Sequence, residues 1–158
     1  MLSKIFVLVL MIGSFGANAQ TTFTIGTATT ATGTFDTGET PFGTYYHDNR
    51  GVYLYTAAEL GALGASAGIL NSVGFEVASA ASQSMAGFTI KVGFTNATSV
   101  NSFATTGMTT VYTSTAYTAT SGWKTFTFSS GLNWNGTDNI IVEVCFDNTS
   151  YTSNSTVY

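Results

Sequence analysis

The only histidine of the chain, His47, stands beside Asp48, and this pair is the first place to look for catalysis. A hydrolytic triad needs a carboxylate to orient the base and a nucleophile within hydrogen-bond reach of it. His47 falls in the polar-aromatic stretch Tyr45-Tyr46-His47-Asp48-Asn49-Arg50, where no particular serine or threonine is marked as its partner. No catalytic residue is therefore assigned. Zinc requires three or four His, Cys or carboxylate ligands at recognisable spacing, and one histidine with one cysteine does not supply them. Of the acids, Asp36, Glu39, Glu59, Glu76, Asp138, Glu143 and Asp147 offer no spacing that selects a pair facing each other across a cleft, as glycoside hydrolysis demands. Asp48 before Asn49, and Asp138 before Asn139, put oxygen ligands on loops and are the candidates for a structural calcium ion. The same dipeptides also form turns without any ion. No other cofactor is implied.

Aromatic residues offer a different chemistry. Tyrosine and tryptophan present a rigid apolar face and a polar tip, the combination that stacks on sugar rings. Tyr45, Tyr46, Tyr112 and Tyr117 fall in loop or strand-end positions and are the candidate ligand contacts. Trp123 and Trp134 open or precede strands and are expected to plug the core. The lone cysteine, Cys145, sits in Ile140-Ile141-Val142-Glu143-Val144-Cys145-Phe146. An unpaired cysteine is a half-disulfide, an intermolecular bridge, a free thiol or simply a small buried hydrophobe. Its charged sequence neighbours, Glu143 and Asp147, are acidic, whereas a nucleophilic thiol wants positive surroundings.

The elements that must position these groups are strands. Charged residues make up 8% of the 158-residue chain and aromatics 14%. Thr, Ser, Asn and Gly carry the solubility, which suits pleated half-exposed surfaces better than helices. The formal charge is -4, and the three bases that follow Lys4, which are Arg50, Lys91 and Lys124, are widely scattered in sequence. No run of phosphates is matched, so nucleic acid is not an expected partner, and anionic membranes are disfavoured on the same ground. Two-residue alternation puts Phe88, Ile90, Val92 and Phe94 on one face, and Ile140, Val142, Val144 and Phe146 form a second such row. Asn71, Val73, Phe75 and Val77 form a third, and Phe126 with Phe128 a fourth. Met108 to Thr113 and Thr115 to Thr118 read as a strand pair or one kinked strand. Turn signals lie between these runs at Thr95-Asn96, Ser121-Gly122, Asn135-Gly136 and Asp147-Asn148. Such rows predict an all-β, antiparallel, jelly-roll-like β-sandwich. Thr56-Ala57-Ala58-Glu59 is a capping box that opens one short helix, ended by Gly61 or Gly64.

Residues 1–19 read as a cleaved signal peptide: Lys4, the apolar run Ile5 to Ile12, and the Ala17-Asn18-Ala19 cleavage site. That run is too short to span a bilayer, which takes about 20 residues. Residues 20–40 form a Thr/Gly-rich extended lead-in, with a candidate edge strand at Thr22 to Ile25. Residues 41–158 form the sandwich module. Ser155-Thr156-Val157-Tyr158 reads as the beginning of a further strand, which implies a truncated module whose C-terminal strands are missing.

The ordered pieces Tyr45-Tyr46, Tyr53-Leu54-Tyr55-Thr56-Ala57-Ala58-Glu59-Leu60, Gly87-Phe88-Thr89-Ile90-Lys91-Val92-Gly93, Trp123 with Phe126 and Phe128, Trp134-Asn135-Gly136, and Asn139 to Asn148 carry a resemblance. Together they resemble an N-terminal β-sandwich module of secreted multidomain Bacteroidota proteins, many of them type IX secretion cargo. The resemblance implies further domains on the same polypeptide, and a second cysteine beyond the chain end that pairs with Cys145. It implies no catalytic role. The expected function is that of a non-catalytic binding or adhesion module, secreted or at the cell surface, whose partner is a polysaccharide or surface glycan. The alternative is an accessory domain of a secreted hydrolase whose catalytic domain lies elsewhere. Cleavage after Ala19 is checked by N-terminal sequencing of the exported protein, which should begin at Gln20; an intact Met1 leader in that product contradicts it.

Overall fold

Alternation of apolar and polar side chains sets the strands, and the computed structural model places them in two sheets. It describes residues 20–26, 31–32, 40–100 and 107–158. The signal peptide and the lead-in acids Asp36 and Glu39 lie outside the described residues. In chain order the elements are β1 (Asn49–Tyr55), α1 (Ala57–Ala62), β2 (Gly68–Ser79), β3 (Met85–Thr95), β4 (Thr109–Tyr117), β5 (Gly122–Trp134), β6 (Asn139–Phe146) and β7 (Thr156–Val157). The front sheet has the order β1-β6-β3-β4, and the back sheet β5-β2-β7. All pairings are antiparallel.

The pairings are nested. β3 pairs with β4, β2 with β5, and β1 with β6. The chain thus forms a long ribbon, β1–β2 against β5–β6, that crosses from front to back sheet as a unit. That folded-over ribbon is what makes the sandwich jelly-roll-like. The sheets do not close into a barrel, and no helix among the described residues is long and apolar enough to cross a membrane.

The core lies between the sheets, filled by Phe88, Ile90 and Val92 of β3, by Val142 and Val144 of β6, and by Phe75, Val77, Phe126 and Phe128 of the back sheet. At its centre sits Phe42, fully buried although it precedes the first strand. Its ring centroid lies 5.8 Å from Phe75, 6.0 Å from Phe88, 5.9 Å from Tyr117 and 6.2 Å from Phe126. These separations fall in the range of favourable aromatic pairs. Trp134 also plugs the core, with its indole N–H donating 2.7 Å to the Asp138 carbonyl.

Trp123 does not plug the core. It is 52% exposed, because Phe126 and Phe128 occupy the inward parity of β5 and an odd-numbered neighbour must point out. Asn71 is exposed as well, since it falls at the register shift between Leu70 and Ser72, where β5 carries extra residues. The run from Met108 to Thr118 resolves as the single strand β4, paired across a register shift at Ile90/Lys91. Thr22 to Ile25 forms no strand; the lead-in joins the back sheet through Thr32, which bridges Val157.

The capping box forms as read. The Glu59 N–H donates to the Thr56 hydroxyl at 3.1 Å, and the Thr56 N–H donates to the Glu59 carboxylate at 2.9 Å. The Thr56 hydroxyl also donates to that carboxylate at 2.6 Å, and this bond, with the one from the Thr56 N–H, holds the Glu59 carboxyl below its ordinary value. Gly64, at φ +90°, takes the left-handed turn after the helix. Replacing a buried Phe with Ala typically costs about 3–5 kcal/mol through lost transfer energy and a residual cavity. Phe42→Ala should therefore lower unfolding stability in urea by about that much, against about 1 kcal/mol for Thr56→Ala at the helix cap; similar losses for the two variants would contradict Phe42 as the hub.

Candidate functional site

β6 lies between β1 and β3, so its outward face as well as its inward face is crowded. Ile141 and Glu143 on the outward side are 8% and 1% exposed. Buried carboxylates need paired charges, and the neighbouring strands supply them. Lys91 of β3 is directly opposite Glu143, and Arg50 of β1 lies diagonally across. Arg50 donates from Nε and Nη2 to Glu143 Oε2 at 2.9 and 2.7 Å, and Lys91 Nζ donates to Oε1 at 2.9 Å. Burial pushes the Glu143 carboxyl up, but the Arg50 and Lys91 hydrogen bonds and charges outweigh it and hold it below its ordinary value. Two bases that looked scattered in the sequence thus converge on one carboxylate.

Cys145, half-buried two residues on, stands in register between Arg50 and Thr89. Its surroundings include both cations as well as Glu143, so the acidic setting read from its sequence neighbours is incomplete. Burial still dominates and pushes the thiol up, against the lowering effect of Lys91 and Arg50. The thiol is therefore protonated and a poor nucleophile at neutral pH. It lines an open, shallow depression of about 410 Å³ at the sandwich end, together with Asp48, Arg50, Gly87 and Asp147.

Behind this depression, Asn148 ties three segments together. Its N–H donates to Asp48 Oδ1 at 3.2 Å, and its Oδ1 accepts from the Ala86 N–H at 2.8 Å. Its Nδ2 is buried with no hydrogen-bond partner among the described residues. The loop before β1 is latched to the loop after β6 in the same way. Thr152 N–H donates to the Thr44 carbonyl at 3.2 Å, Tyr45 N–H to Asn154 Oδ1 at 3.0 Å, and Ser155 N–H to the Phe42 carbonyl at 3.2 Å.

The latch positions an aromatic patch. Tyr45 packs edge-on against Tyr46 at 4.9 Å and against Tyr151 at 6.0 Å. His47 stacks on Tyr151 at 5.4 Å with a 24° interplanar angle. Its φ of +70° is the only positive value at a non-glycine position among the described residues, a conformation uncommon for side-chain-bearing residues. Tyr46 and Tyr151 remain 78% and 60% exposed.

Of the candidate ligand contacts, the fold brings Tyr45 and Tyr46 together and adds Tyr151 and His47. Tyr112 and Tyr117 lie elsewhere: both are half-buried against Phe88 and Phe126 and wall the core. Tyr151 escaped sequence reading because its loop carries no pattern; only the pairing of residues 42–45 with 152–155 brings it in. Asp48 and Asp138 stay apart in role. Asp48 bonds to Asn148, whereas Asp138 closes the β5–β6 turn, its N–H donating to Asn135 Oδ1 at 2.9 Å. Among the described residues no three His, Cys, Asp or Glu side chains gather as metal ligands.

Gly64-Ala65-Ser66-Ala67-Gly68 has the Gly-x-Ser-x-Gly spacing of a nucleophile elbow. It runs from helix α1 into strand β2, the reverse of the strand-to-helix turn that exposes such a serine. No hydrogen bond joins Ser66 to His47, whose ring is engaged with Tyr151. No protein family, curated protein or solved structure matches the chain.

Removing both cations while keeping the acid leaves a buried, uncompensated charge, which costs about 3–5 kcal/mol. The double variant Arg50→Met/Lys91→Met should show that loss in urea denaturation, with each single change costing less than half of it. The pH dependence follows from the depressed carboxyl. The stability contributed by Glu143 is complete above its ordinary value of 4.5 and is lost as pH falls through the lower folded value. Urea midpoints measured from neutrality down to about pH 3 should drop more steeply for the native chain than for Glu143→Gln.

Proposed function

We propose that this chain is a non-catalytic binding module of an exported protein, secreted or held at the cell surface, that takes a neutral polysaccharide or surface glycan on the patch at the sandwich end. The observation that carries this reading is the exposure of the Tyr46 and Tyr151 rings on loops held in place by inter-loop hydrogen bonds. Large rings kept in water by a fixed scaffold leave apolar area uncovered, and a sugar ring supplies a flat apolar face for it together with hydroxyls for its surroundings. The depression beside the patch offers Asp48, Asp147 and Arg50 as partners for such hydroxyls. A net charge of -4 disfavours polyanionic ligands.

In this reading Cys145 serves the parent protein and not the ligand: its thiol lies in the depression wall, accessible to a cysteine carried by a further domain. Export by the type IX route belongs to the same proposal and rests on the sequence resemblance alone.

Native affinity electrophoresis in gels containing xylan, laminarin, galactomannan or hydroxyethyl cellulose tests the glycan reading. At least one polymer should retard the protein. Tyr46→Ala and Tyr151→Ala should each weaken that retardation about five- to tenfold, as expected for losing about 1 kcal/mol of ring stacking. Unchanged mobility across the panel, or variants that bind as well as the native chain, would sink the proposal.

A further inference from the structure

The outer face of the back sheet carries a row of side chains that neither the core nor the end patch uses. Phe75 and Val77 point inward, so Glu76 between them points out. Trp123 of β5 stands opposite Glu76 in register. On the other side, Val157 pairs with Val77 and is buried, so the next residue, Tyr158, shares the outward face; its N–H donates 3.0 Å to the Glu76 carbonyl. Trp123, Glu76 and Tyr158 therefore form one line across three neighbouring strands, with the two aromatic residues 52% and 51% exposed.

The floor of this line is flat. Trp123 leans over Gly74, where an added Cβ would sit 3.6 Å from the indole Cε3. The following cross-strand rows are Gly74 with Thr125 and Ser72 with Thr127, a glycine and three hydroxyls. Glu76 is the one charge in these rows. Gln20 of the lead-in bounds the far end, donating 3.5 Å to the Ser72 hydroxyl. Strands lie about 4.8 Å apart, so side chains two strands apart are roughly 10 Å from each other. That is close to the length of one disaccharide step in an extended glycan.

We propose that this face is a second carbohydrate-binding surface, separate from the sandwich end, for an extended uncharged polysaccharide lying across the strands. Trp123 and Tyr158 each stack on a sugar ring, and Glu76 accepts hydrogen bonds from hydroxyls between them. A lone carboxylate with no cation repels acidic polymers and offers nothing to phosphates. A disaccharide reaches one ring well and the second poorly, so affinity should rise steeply with chain length.

Intrinsic fluorescence tests this, because Trp123 is exposed while Trp134 is 4% exposed. Cellohexaose and xylohexaose are titrated into the Tyr46→Ala/Tyr151→Ala variant, in which the end patch is disabled. The expected result is a blue shift and protection from acrylamide quenching, about tenfold tighter for at least one hexasaccharide than for cellobiose, and weakened at least fivefold by Glu76→Gln. Unchanged tryptophan emission with both hexasaccharides overturns the proposal. If the native chain binds a hexasaccharide, the double variant does not, and tryptophan emission never moves, the end-patch reading stands and this surface is rejected. A shift that persists in the double variant while polymer retardation is unaffected by the tyrosine changes supports this surface and rejects the end patch.

Discussion

Burial of β6 on both faces is the constraint around which the molecule is arranged. Its inward side chains fill the core, and its outward ones are covered because β1 and β3 flank it. A carboxylate at position 143 survives there only because long cationic side chains from both neighbours close over it. Each cation is about one-third or more exposed, at 40% for Arg50 and 33% for Lys91, while the acid is 1% exposed. The charged ends remain hydrated on their outer side, which reduces the desolvation that makes buried ion pairs costly. The triad ties three strands together on the side away from the core, and it fixes their register, since a one-residue slip would turn Glu143 into the apolar interior.

A different force organises the ends of the sandwich. Phe42 enters the core from a loop, and its anchoring carries the residues on either side of it into contact with the loop after β6. The aromatic patch is a by-product of that docking. Tyr45 and Tyr46 come from one loop and Tyr151 from the other, and the hydrogen bonds between the loops hold the two backbones side by side. A surface assembled this way is pre-organised, so a ligand would not need to order it first.

Local patterns were legible in the chain and distant ones were not. The capping box, the row of β6, the row of β3 as far as Val92, and the turn at Asn135-Gly136 could be read because their signals lie within a few residues; a Cβ placed on Gly136, at φ +80°, would lie 2.8 Å from the Ala67 nitrogen. Phe94, which alternation also put on the inward face, is 37% exposed near the end of β3, where the row no longer faces the core. Trp123 was misplaced because tryptophan at a strand start suggests a plug, while strand parity had already assigned it to the outside. The convergence of Arg50 and Lys91 on Glu143 depends on strand order in the sheet, which no spacing encodes. Phe42 left no trace either: one phenylalanine after a proline has no period to betray its burial. At the candidate site, half of the tyrosines picked from the sequence lie in the patch and half in the core wall, since exposure of a strand-end ring is decided by what packs over it.

Nesting of the strand pairs also has a kinetic consequence. Arg50 and Glu143 meet across 93 residues of chain, and the ribbon that contains them closes only when its two far arms align. High contact order of this kind slows folding, because loop-closure entropy must be spent before the pairing returns any energy. β1 and β3 both take β6 as a neighbour, so the front sheet has no stable half. The four-stranded front sheet is therefore complete only once Asn139–Phe146 has been made and has taken its place between β1 and β3.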